Sequence, residues 1–173
     1  MNLEQKMLIN DLTEDILNKY NIEIPIEDIN EVVEKLGGKV ETDVSLFDKD
    51  GSVQKLGEGF VIFVSPHQSK QRMNFTIAHE LGHLFLHMGY KTNFYRWQQQ
   101  DNTTYYRSGD SQSEYQANEF AAAFLMPRKQ YKDIMDKNTN DNDIVNTLEI
   151  AEYFGVSISA ASNRGKFLGY LEW

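Results

Sequence analysis

The chain has 173 residues, no cysteine, and 26 acidic against 17 basic side chains, for a formal charge of −9. That length fits one domain able to bury a core, the missing thiols exclude disulfides and cysteine ligands, and the acidic balance argues against sequence-independent nucleic-acid binding and suits a basic partner better. Met1-Asn2-Leu3-Glu4-Gln5-Lys6 opens an amphipathic pattern rather than a leader, and no apolar run is long enough for a bilayer, so no membrane partner is expected and the cytoplasm is the expected compartment.

Leu3, Met7, Leu8, Leu12, Ile16 and Leu17 recur at helical spacing and predict a helix over residues 3 to 20. A second helix is expected from Pro25 to Leu36, stopped by Gly37-Gly38. Strand signals follow at Lys39 to Thr42 and in the apolar run Phe60-Val61-Ile62-Phe63-Val64, with a turn expected at Asp50-Gly51 between them. The segment from Gly59 to Ser65 reads either as a sheet edge able to receive an extended peptide or as an ordinary core strand.

The next segment carries the chemistry. Between Ser69 as N-cap and Gly89 as C-cap, the spacing predicts a helix with His79-Glu80-Leu81-Gly82-His83 in its middle. Residues four apart share a helix face about 6 Å apart along the axis, so His79 and His83 can aim both imidazoles at one metal ion. Glu80, one position round, can act on a water there as general base without being a ligand. Phe75, Ile77, Ala78, Leu81, Leu84, Phe85, Leu86 and Met88 make this a helix of the core, where unpartnered histidines are costly. His87 continues the four-residue series but stands a further turn along a straight helix, out of reach of a metal between the other two. Its expected role is packing or a hydrogen bond to a ligand.

Residues 91 to 112 interleave Phe94, Tyr95, Trp97, Tyr105 and Tyr106 with polar residues and read as a long loop that contacts substrate. Tyr105, Tyr106 and Tyr115 are candidates to donate to an oxyanion. A helix from Glu114 to Met126, stopped by Pro127, offers Glu114 as third ligand on a smooth face with Ala117 and Ala121, and Asn118 as hydrogen-bond partner of a ligating histidine. Two alternatives stand beside this: Glu119 as the ligand, and a capping box in which Glu114 folds back on Ser111.

The tail, from Leu148 through the Gly155 stop and the Ser157 N-cap to Leu168, reads as a helical hairpin like half a helix-turn-helix. It supports a rival expectation, a DNA-binding regulator using Asn163, Arg164 and Lys166.

Phe75-Thr76-Ile77-Ala78-His79-Glu80-Leu81-Gly82-His83-Leu84-Phe85-Leu86-His87, followed by Glu114-x-x-Ala117-Asn118-x-Phe120-Ala121-Ala122-x-Phe124-Leu125-Met126-Pro127, resembles the paired signature of the ImmA/IrrE family of metallo-endopeptidases. The resemblance implies His79, His83 and Glu114 as ligands of a zinc ion and Glu80 as the catalytic base. It also implies an α+β zincin-like domain: helices on a small, mostly antiparallel sheet, covering residues 1–173 with a core at 20–137 and a helical hairpin at 141–173. Family members commonly lie beside a helix-turn-helix repressor of a phage or mobile element and relieve repression by cutting it. A separate repressor chain is therefore the expected protein substrate.

Overall fold

The computed structural model describes residues 1–46, 50–101 and 111–172 and the backbone of 104–106. Helix α1 runs Leu3–Lys19, α2 Ile29–Leu36, α3 Lys70–Gly82, α4 Phe94–Gln98, α5 Ser111–Leu125, α6 Arg128–Lys137, α7 Thr147–Phe154 and α8 Ile158–Phe167. Strands β1 (Gly38–Thr42), β2 (Gly51–Leu56), β3 (Gly59–Val64) and β4 (Thr104–Tyr106) form one sheet in the order β1-β3-β2-β4. The β2–β3 and β2–β4 pairs are antiparallel and β1–β3 is parallel, so the molecule is α+β with a mostly antiparallel sheet. Among the described residues no helix is long and apolar enough to cross a membrane.

Local chemistry explains most boundaries. Asp28 caps α2 by accepting from the Asn30 amide, so that helix begins later than the Pro25 expected as its first residue. The tight turn lies at Gly57-Glu58 rather than Asp50-Gly51: Leu56 pairs with Gly59, which leaves a two-residue hairpin loop in which Gly57 takes φ +58°. Gly51 instead begins β2, a strand absent from the expectation. Because β3 lies between β1 and β2, Gly59 to Ser65 contributes a core strand, not an edge. Its apolar run is continuous because Phe60, Val61, Ile62 and Val64 are all buried.

Part of the expected loop at 91–112 is also regular. Asn93 caps α4, and Trp97 is buried against Tyr90 with ring centroids 4.8 Å apart, while Phe94 and Tyr95 stay exposed. Residues 102, 103 and 107–110 and the side chains of Tyr105 and Tyr106 lie outside the described residues.

The C-terminal hairpin forms as expected, with Gly155 in the left-handed region and Ser157 capping α8. It is fastened to the body from inside. Arg164 is 2% exposed and donates to Glu119 Oε1 at 3.0 Å, Asn10 Oδ1 at 2.7 Å and the Met126 carbonyl at 3.0 Å. Burial pulls its guanidinium below its ordinary pKa, and Glu119 opposes that pull. Tyr131 of α6 donates to the Ala161 carbonyl of α8 at 2.7 Å.

Burial raises the Tyr131 hydroxyl from 10.0 to about 12. A raised folded-state pKa stabilises fully below the unfolded value and ceases to do so as pH climbs through the folded one. Wild type should therefore lose stability between pH 10 and about 12. Urea titrations across that range should show this alkaline step diminished in Tyr131→Phe.

Candidate metal centre

Helix α3 enters the core with Thr76 to Gly82 all buried, which places His79, Glu80 and His83 in the interior. Ser69 caps its start by accepting from the Arg72 amide at 3.2 Å. From His83 to Met88 the helix widens into a π turn and ends at Gly89, which adopts φ +83°. The last carbonyls are satisfied in turn: Leu84 by the Tyr90 amide, Phe85 by Thr92 Oγ1 and Leu86 by Arg96 Nη1.

Helix α5 lies directly on this segment. A Cβ built on Gly82 would sit 3.0 Å from Ala117 Cα and 3.1 Å from Phe120 Cβ, so glycine at 82 and alanine at 117 are what allow the approach. The approach delivers Glu114. Its Oε2 stands 3.3 Å from His79 Nε2 and its Oε1 3.4 Å from His83 Nε2, and the two Nε2 atoms are 2.9 Å apart. These three residues form a group that could hold a metal ion. Tetrahedral ligands placed 2.0–2.1 Å from a zinc ion stand roughly 3.3 Å apart, close to the spacing here. The donor set, two imidazoles and a carboxylate with no thiolate, suits zinc and its neighbours among divalent metals.

Ring orientation is set from behind. Asn118 Oδ1 lies 2.8 Å from His79 Nδ1, and its oxygen can only accept, so His79 carries its hydrogen on Nδ1 and leaves Nε2 bare. His83 Nδ1 meets His87 Nδ1 at 2.9 Å, and His87 Nε2 meets Gln116 Oε1 at 3.0 Å. His87 thus stands behind the group formed by His79, His83 and Glu114, on a π turn and not on the straight helix that the sequence reading assumed. Glu119, the alternative third ligand, turns the opposite way into the Arg164 and Asn10 cluster.

Glu80 is fully buried beside the start of β2. A Cβ on Gly51 would come within 2.6 Å of Thr76 Cγ2 and 3.4 Å of Glu80 Cγ, so the strand passes Glu80 with no side chain between them. The segment before it is tied to α3 by the Arg72–Asp50 ion pair and by Gln68, which donates to the Asp50 carbonyl at 2.6 Å and accepts from Thr76 Oγ1 at 2.8 Å. Gly51 and Gln116 are the residues that sequence reasoning missed. Gly51 reads from sequence as part of a turn, and the position of Gln116 has no motif to mark it.

A groove of about 1310 Å³ lies between α3, α5, α7, α8 and the start of α1. Its lining includes Tyr115 and Asn118, the partner of His79 Nδ1, but not His79, Glu80, His83 or Glu114, and runs past Phe75, Ala122 and Met126 to Ile158 and Phe167. Tyr115, the member of the tyrosine trio whose side chain is described, lines this groove. Of the three residues expected to touch DNA, Arg164 is committed to the interior, which leaves Lys166 as the cation among them on that surface.

No curated protein matches the chain. Among solved structures, a Mycobacterium tuberculosis transcriptional regulator matches with a TM-score of 0.55 at 18% identity, over 90% of this chain and 45% of that one. The likeness is one of fold, and the chain spans less than half the length of that protein. Residues 32–166, a span that holds the histidine pair and Glu114, match the Peptidase_M78 family model, described as the IrrE N-terminal-like domain, and the chain belongs to that family of metallopeptidase-like domains.

Proposed function

We propose that the protein is a zinc-dependent endopeptidase of the cytoplasm that cuts a helix-turn-helix repressor of a phage or mobile element at a defined site and so relieves repression. The observation that carries the reading is the convergence of His79 Nε2, His83 Nε2 and both Glu114 oxygens on one point, with buried Glu80 next to it. His79, His83 and Glu114 would hold the zinc ion, which when bound would supply Lewis acidity to a scissile carbonyl and to water. Glu80 takes the proton from the attacking water and returns it to the departing amine, a transfer worth about 10²–10⁴-fold in rate. Its burial beside Gly51 keeps that carboxylate away from bulk solvent. Asn118 holds the His79 ring in the tautomer that presents Nε2.

The groove that Asn118 lines supports a polypeptide as substrate. At about 1310 Å³ it exceeds the usual small-molecule pocket of roughly 300–1,000 Å³, and its open, largely apolar course past Phe75, Ala122 and Met126 suits an extended segment. The formal charge of −9 favours a basic partner by electrostatic complementarity, as a DNA-binding repressor would be. The fold likeness to a transcriptional regulator is compatible with work in that setting and adds nothing about the bond cut.

Three outcomes are expected. Glu80→Gln abolishes proteolysis but retains near one equivalent of zinc by elemental analysis, whereas Glu114→Ala loses the metal as well. Equal metal loss in both would show that base and ligand are wrongly assigned. Ala122→Trp, which fills the groove without touching the metal group, raises KM for a polypeptide substrate and leaves zinc content and the melting temperature near wild type. Co-expression with helix-turn-helix repressors encoded alongside, followed by mass spectrometry, yields one cut in a repressor and none in casein. Intact repressors beside zinc-loaded enzyme would reject the substrate, and broad digestion of casein would reject its specificity.

A further inference from the structure

The pair His87 and Gln116 is not needed to hold a metal, yet it stands in line behind one of the proposed ligands. We infer that Gln116, acting through His87, fixes the tautomer of His83 so that its Nε2 is the bare nitrogen facing His79 and Glu114. The inference rests on the metal-binding reading of the site and deepens it by naming the residues that set one ligand's donor atom.

A neutral imidazole has one N–H and one bare nitrogen, and the partner of each decides which is which. For His79 the matter is closed by one contact, because the Asn118 oxygen accepts only. On His83 Nδ1 the contact is of another kind. It meets another imidazole nitrogen, His87 Nδ1, at 2.9 Å, and either ring could donate. The ambiguity is removed one contact further out. Gln116 Oε1, an acceptor, lies 3.0 Å from His87 Nε2, so His87 carries its hydrogen there and its Nδ1 accepts. His83 must then donate from Nδ1, and its Nε2 is left bare.

The direction of the chain matters because of what it faces. His83 Nε2 lies 2.9 Å from His79 Nε2 and 3.4 Å from Glu114 Oε1. If His83 carried its hydrogen on Nε2, it would donate into this cluster, and the lone pair needed by a cation would point away toward His87. The opposite tautomer presents two bare nitrogens and a carboxylate to one point, an arrangement that a divalent cation relieves. Gln116 is half-buried on α5, the helix that also supplies Glu114 and Asn118, so one helix both provides a ligand and orients the two others. His87 and Gln116 are positioning residues: they touch the ligand, not the reacting atoms.

The test reads the tautomer itself. With four histidines in the chain, nitrogen-15 imidazole resonances can be assigned in the chelator-stripped full-length protein. They are recorded well above the ordinary histidine pKa of about 6.5. Wild type and Gln116→Glu, which keeps an acceptor, should both show His83 protonated on Nδ1. Gln116→Lys, which offers only donors, should push the His87 hydrogen to Nδ1 and move the His83 hydrogen to Nε2, while His79 stays on Nδ1. An unchanged His83 in Gln116→Lys, or identical behaviour of the Glu and Lys variants, would overturn the inference. A second arm uses uncharged changes at position 87. His87→Ala should weaken zinc binding about 10–100-fold, and His87→Gln, whose amide oxygen can still accept from His83, should restore most of it. Equal affinity in His87→Ala and wild type would overturn the claim that the relay serves the metal. A wild-type protein that binds no divalent metal would instead remove the metal reading, and the resonances of the stripped protein would still decide the relay.

Discussion

How near α5 can lie to α3 sets the whole site. Two helices with ordinary side chains at their crossing keep their axes about 8–10 Å apart, and an acidic side chain from one then reaches the imidazoles of the other only if the contact itself is made of very small residues. Gly82 and Ala117 supply that contact, and a single added methyl group at 82 would press on Ala117 backbone atoms 3.0 and 3.1 Å away. Glycine costs about 1 kcal/mol of helix propensity relative to alanine, and here the cost secures the meeting of Glu114 with His79 and His83. Gly51 repeats the device on the other side, where β2 passes Glu80.

Burial gives those few ångströms their chemical weight. His79, Glu80 and His83 are all fully buried, which is expensive for polar side chains unless each is held by partners chosen to suit it. Asn118 for His79, and His87 backed by Gln116 for His83, are those partners, and they do more than satisfy hydrogen-bonding capacity: they bear on which nitrogen of each ring carries the hydrogen. A surface histidine pair at the same spacing would sample both tautomers and many rotamers. Here packing and hydrogen bonds leave one arrangement.

Much of this was legible in the sequence where a residue's role is local. The caps Ser69, Gly89, Gly155 and Ser157 announce their helix ends because capping depends on the residue itself. The histidine pair and Glu80 are legible for the same reason, since helical spacing alone puts them together. Glu114 over Glu119 could be argued from the alanine face of α5, which is a statement about packing that the sequence carries in its small residues. What the sequence did not disclose was decided at long range. Strand β3 became central because β1 pairs with it in parallel and β2 in antiparallel fashion, and nothing within Phe60 to Val64 encodes its neighbours. Arg164 reads as a surface cation until Glu119 and Asn10, far away in sequence, are seen to enclose it. Gln116 is mute for the same reason: its significance is a partner on another helix.

The buried ion pair has a mechanical consequence of its own. Glu119, which grips Arg164 of α8, is the immediate chain neighbour of Asn118, which holds His79. One peptide unit of α5 therefore bears two anchors pointing to opposite sides, one to the far wall of the groove and one to a metal-facing imidazole. Pulling α8 away would strip a guanidinium of its counter-charge in the protein interior, so α8 moves only by dragging that peptide unit along. The wall against which a polypeptide would press and the ring that Asn118 holds are thus tied to neighbouring residues of one helix, so the groove wall and the proposed metal group share a single support.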